Sequence, residues 1–140
     1  MLKGVNWIAV LVAVVVLEAL GFLWYGMMFE TAYLAGLGRE VAENNLLMAL
    51  GVVNTLIVVL GLSWLNQRTG AASIGDAVKN ALVAWLCFAA TTTALQYLYM
   101  GFSLEFTLIN MGYLLVAFVL AGVVLATVKI GRAAGSAAAA

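Results

Sequence analysis

Glu18 interrupts an apolar run that extends from Ile8 through Leu17 and resumes at Ala19. A carboxylate in such a setting has few chemical uses: exchange of a proton, attraction of a cation, or a hydrogen bond to a neighbouring helix. A charge at the centre of a bilayer costs on the order of 3 kcal/mol, so an intramembrane acid is a functional candidate by default. Asn54, Thr92, Gln96, Asn110 and Tyr113 stand in comparably apolar surroundings. Together with Glu18 they could line a site for a proton, a cation or a small lipophilic molecule. Other chemistries lack their residues. There is no histidine, and Cys87 is the only cysteine. The sequence therefore predicts no metal or other cofactor, no Ser-His-Asp or Cys-His catalytic set, and no enzyme.

The elements that must position these groups follow from composition. With 66% of 140 residues hydrophobic and 9% charged, the chain falls among integral membrane proteins. Its composition makes membrane lipid the expected partner, and its formal net charge of zero does not suggest nucleic acid. At 1.5 Å per residue, about 20 apolar residues cross a hydrocarbon core of about 30 Å. Stretches at about 5–28, 46–65, 77–100 and 106–128 meet that length. The expected fold class is an all-α integral membrane bundle of four transmembrane helices with short loops, forming one domain over 1–132. Residues 133–140 read as a linker remnant. Met1-Leu2-Lys3 imitates the start of a signal peptide, but the run is too long and carries Glu18, so it is assigned as the first span.

The connections carry local signals. Phe29, Tyr33, Leu34 and Leu37 have helical spacing, which predicts a short interfacial helix broken at Gly36 and Gly38. Glu40, Glu43, Asn44 and Asn45 suit the N-terminus of the second span. Ser73 and Asp76 have the spacing of a capping box opening the third. Within the spans, Ala9 with Ala13, Ala90 with Ala94, Ala117 with Ala121 and Gly122 with Ala126 are small pairs four residues apart that permit close helix packing. Thr91, Thr92 and Thr93 have hydroxyls that can return to their own helix carbonyls. Trp7, Trp24, Tyr25, Tyr97 and Tyr99 read as interface anchors.

Four spans place both termini on one side. Lys3, Arg68, Lys79, Lys129 and Arg132 lie there, against Arg39 alone on the other, so the positive-inside rule predicts cytoplasmic termini. In that orientation Glu18, Asn54, Thr92, Gln96 and Asn110 all fall in the outer half of the membrane. Polar groups at that depth avoid lipid by facing a bundle interior or a wet cavity, which predicts a polar pocket opening outward.

Asn6-Trp7, the Gly21-to-Tyr25 segment, Phe29 with Ala32-Tyr33 and Gly36, and Tyr97-Leu98-Tyr99 continuing to Ile109-Asn110-Met111-Gly112-Tyr113 and Gly122 carry a family resemblance. Over nearly the whole chain to about Val128, the sequence resembles bacterial membrane proteins catalogued as domain of unknown function 1761. The resemblance implies a four-span fold in a bacterial inner (cytoplasmic) membrane and supplies no activity. Two positions depart from the family pattern: Leu114 stands where a histidine often follows the Gly-Tyr pair, and Glu18 where a small or apolar residue is expected.

Two functional expectations result. One is a small membrane protein that binds or transports a lipophilic or cationic molecule, with Glu18 as the proton or cation site. The other is a non-catalytic accessory subunit in which Glu18 is a packing group. Either is compatible with a homodimer or a larger membrane complex.

Overall fold

A computed structural model describes residues 3–39 and 44–128. Met1, Leu2, Glu40, Glu43, Lys129, Arg132 and the 133–140 tail lie outside the described residues. The described chain is helical throughout its regular structure. Four helices are long and apolar enough to cross a membrane: Trp7–Met28, Asn45–Arg68, Ile74–Met100 and Leu104–Thr127. A short helix, Glu30–Leu37, follows the first span. The protein is thus a four-span helical membrane bundle.

Local chemistry fixes where these helices start and stop. Asn6 caps the first span by accepting from the Ala9 amide, and its Nδ2 donates to the Val128 carbonyl at 2.6 Å, tying the beginning of the bundle to its end. Asn44 caps the second span through the Leu46 amide. Ser73 and Asp76 form the reciprocal capping box of the third, and Ser103 accepts from Phe106 at the start of the fourth. These side chains satisfy amides that have no partner within the first helical turn. Gly38 and Gly101 end the short helix and the third span with φ of +67° and +73°, a conformation that only glycine adopts cheaply.

The fourth span is the hub, touching every other helix. It runs antiparallel to the first in a register held from end to end. Asn6 meets Val128, Trp24 meets Ile109, and Tyr25 meets Asn110. The third span packs on another side, with Trp85 against Met111 and Ala77 against Gly122.

Small residues make these approaches possible. Ala9 and Ala13, Ala77, Ala81 and Ala84, and Ala117, Ala121 and Gly122 are all buried. A Cβ on Gly122 would lie 3.0 Å from the Ala77 carbonyl oxygen. Lipid tails are as apolar as a protein core, so helices in a membrane associate by close packing, and small side chains mark the contact.

The second span differs. Its buried residues, Val59, Leu62 and Ser63, all lie in its second half. Residues 44–54 are exposed without exception. The first and second spans converge near Gly4 and Gln67, and the first half of the second span stands clear of the bundle.

Two spans widen locally. Trp24–Met28 and Trp85–Ala90 are wound as π-helix, which holds an extra residue per turn. Each widened turn begins with a tryptophan whose indole N–H donates to the fourth span. Trp24 Nε1 reaches the Ile109 carbonyl at 3.1 Å, and Trp85 Nε1 reaches that of Met111 at 3.2 Å. A buried indole needs an acceptor, and here each acceptor is a backbone carbonyl.

Candidate functional site

The polar groups singled out from sequence separate into two sets. Tyr113 and Asn110 lie together between the first and fourth spans. The Tyr25 hydroxyl donates to Asn110 Oδ1 at 2.9 Å, and Asn110 Nδ2 donates to the Phe106 carbonyl at 2.7 Å. Tyr113 packs against Tyr25 with ring centroids 4.9 Å apart and against Trp24 at 6.3 Å. Tyr33 of the short helix continues the cluster, 4.6 Å from Tyr25 and 5.4 Å from Phe106. Gly36 lets that helix close: a Cβ there would meet the Phe106 side chain at 2.7 Å.

Glu18 borders this cluster. Gly21, one turn along the first span, has no side chain to hold Tyr113 away, and a Cβ there would lie 3.4 Å from the phenol oxygen. The Glu18 carboxylate is close enough to Tyr113 to interact with it electrostatically. It is exposed on the flank of the first span and close to the helix midpoint. Among the described residues, neither Glu18 nor the Tyr113 hydroxyl makes a hydrogen bond. No buried side-chain polar atom there lacks a partner either. The Tyr113 hydroxyl is therefore not fully enclosed, on a side chain that is itself half-buried.

Asn54, Thr92 and Gln96 form the second set, and each is exposed. The Thr92 hydroxyl returns to the Phe88 carbonyl at 2.6 Å, and Thr91 and Thr93 bond back to Cys87 and Ala89 in the same way. Asn54 and Gln96 make no hydrogen bond to described residues. None of the three is linked by a hydrogen bond to Glu18.

Sequence reasoning missed the role of Trp85 and understated that of Trp24 and Tyr25, which do more than mark an interface. The available signal was depth. Trp85 lies well inside its span, where an indole N–H has no water to bond. Many residues that carry the family resemblance fall on one structure: Asn6, Gly21, Trp24, Tyr25, Tyr33, Gly36, Asn110, Gly112 and Tyr113 all help join the first span and short helix to the fourth. Gly112, for example, faces the Trp24 ring, 3.3 Å from where its Cβ would stand.

No curated protein and no solved structure matches the chain. Residues 8–126 match the family described as "Protein of unknown function (DUF1761)". The chain belongs to that family.

Proposed function

We propose that this is a non-catalytic protein of the bacterial cytoplasmic membrane that binds, and through binding moves, a small lipophilic cation, with Glu18 as the group that exchanges a proton for it. The observation that carries the reading is the open pair of Glu18 and Tyr113 near mid-membrane. A carboxylate without a hydrogen bond, beside a phenol without one, supplies a negative charge, a hydroxyl and an aromatic face. That combination suits an organic cation, which aromatic rings attract through their quadrupole. Tyr25, itself bonded to Asn110, packs against the Tyr113 ring. Lys3, Arg68 and Lys79 at the end where Asn6 meets Val128, against Arg39 at the other, support cytoplasmic termini.

A second reading draws on the exposure of Glu18. A carboxylate on the outer flank of a span could be satisfied by a polar group of a larger membrane complex, which would make this chain an accessory subunit.

Proton release separates the two readings. Purified protein in weakly buffered detergent is titrated with tetraphenylphosphonium, wild type against Glu18→Gln. A release that saturates in the wild type and disappears in the variant is expected. No release from either protein overturns the cation reading and directs attention to co-purifying membrane proteins.

A further inference from the structure

The second span presents a seam to the outside of the bundle. Leu47, Leu50, Asn54, Ile57, Gly61 and Trp64 follow one another at alternating three- and four-residue steps, the spacing that keeps one face of a helix against a partner helix. All are exposed: Leu47 by 57%, Leu50 by 54%, Ile57 by 63% and Trp64 by 37%, with Asn54 and Gly61 in the same class. At 3.6 residues per turn this seam lies on the side of the helix opposite Val59 and Ser63, which face the bundle. A lipid-facing stripe would explain the leucines. It does not explain Asn54.

Asn54 lies about 4 Å from the midpoint of Asn45–Arg68, taking 1.5 Å per residue. Its amide bonds to no described residue, whereas Thr55 beside it returns its hydroxyl to the Gly51 carbonyl at 3.2 Å. Polar side chains at this depth face protein or water. No described helix of this chain covers residues 44–54.

We infer that two copies of this chain pair through their second spans, with Asn54 hydrogen-bonded to its counterpart across a twofold axis along the membrane normal. A carboxamide is self-complementary, since it both donates and accepts, and a parallel twofold pair brings the same residue to the same depth. A single asparagine in an otherwise apolar seam is also the feature that sets register in paired helices. Gly61, with nothing within 4 Å of its would-be Cβ, lets the backbones approach near the inner end. The pairing uses neither Glu18 nor Tyr113 and stands whether or not a cation binds there.

Cysteine cross-linking of the full chain in native membranes tests this, in a Cys87→Ser background. Leu50→Cys and Ile57→Cys on the seam are expected to give disulfide-linked dimers on oxidation, and Val52→Cys on the opposite face is not. In detergent, Asn54→Leu is expected to raise the dimer dissociation constant roughly 3- to 30-fold, as interhelical polar contacts of this kind contribute, whereas Asn54→Gln retains pairing. Leucine suits a lipid-facing position, so an unchanged far-ultraviolet circular dichroism spectrum should accompany the loss. Equal cross-linking at Val52 and Leu50, or an Asn54→Leu dimer as tight as wild type, would overturn the pairing. An absence of cross-links at the seam would overturn it too, with lipid as the occupant of that face.

Discussion

Tyr25 and Asn110, 85 residues apart in the chain, meet in a 2.9 Å hydrogen bond that joins the first span to the fourth. The next residue on each side is engaged as well, since Trp24 bonds to the Ile109 carbonyl. Two consecutive residues of one helix thus hold two consecutive residues of another, at the point where the first span widens into its π turn.

Tyr25→Phe keeps the ring in its aromatic cluster and removes only the donor to Asn110. A stability loss of about 1 kcal/mol is expected, the range for one interhelical hydrogen bond in a membrane protein. Equilibrium unfolding in mixed micelles measures it. In a cycle with Asn110→Leu, the losses should fail to add, because both variants break the same bond.

Gly122→Ala should be costly. The new methyl would stand 3.0 Å from the Ala77 carbonyl oxygen, which is backbone and cannot swing aside. The third and fourth spans must part, at about 1–3 kcal/mol. Gly51→Ala is the matched control, with nothing within 4 Å. It should be neutral or slightly stabilising, since alanine is the better helix former.

Trp85→Phe should destabilise the protein, and Trp7→Phe should not. The Trp85 indole is half-buried and bonded to the Met111 carbonyl, whereas Trp7 is exposed on the outside of the first span. A loss of about 1 kcal/mol at Trp85 is expected. Faster amide exchange over residues 85–90 would show that the bond steadies the widened turn.

Ser73→Ala removes the hydroxyl that accepts from the Asp76 amide at 3.1 Å and donates to the Asp76 carboxylate at 2.8 Å. About 1 kcal/mol should be lost from the start of the third span. Adding Asp76→Ala should cost a further increment, because its carboxylate also accepts from the Ser73 and Ala72 amides at 3.1 and 3.2 Å, bonds that do not need the hydroxyl.

The spans were legible in the sequence because crossing a membrane requires long apolar runs, and the caps at Ser73 and Asn44 because few residue types can satisfy a helix start. The facing of each span was not. In water a buried face is more apolar than an exposed one, so a leucine stripe identifies a core. In lipid both faces are apolar. Here large residues such as Leu11, Phe22, Leu47 and Phe88 point outward, while alanines fill the contacts. The alanine pairs Ala9 with Ala13 and Ala117 with Ala121, which read as ordinary packing, were the true marker of the core. Glu18 shows the same limit: its depth followed from counting residues, but its place on an exposed flank beside Tyr113 depended on a rotation that hydropathy does not encode. The π turns at Trp24 and Trp85 left no trace in spacing, because one additional residue in a uniformly apolar run changes no pattern.

Because every other helix touches the fourth span, the element that completes the bundle is also the last of the four described spans to be synthesised. Trp24, Trp85, Tyr33 and the alanine faces of the first and third spans have no docking surface until residues 104–127 enter the membrane. The earlier spans must therefore be individually stable in lipid, as their hydropathy allows, and condensation into a bundle becomes a post-insertional step. A ribosome halted before that helix emerges would leave inserted but unassembled spans, open to membrane quality-control proteases.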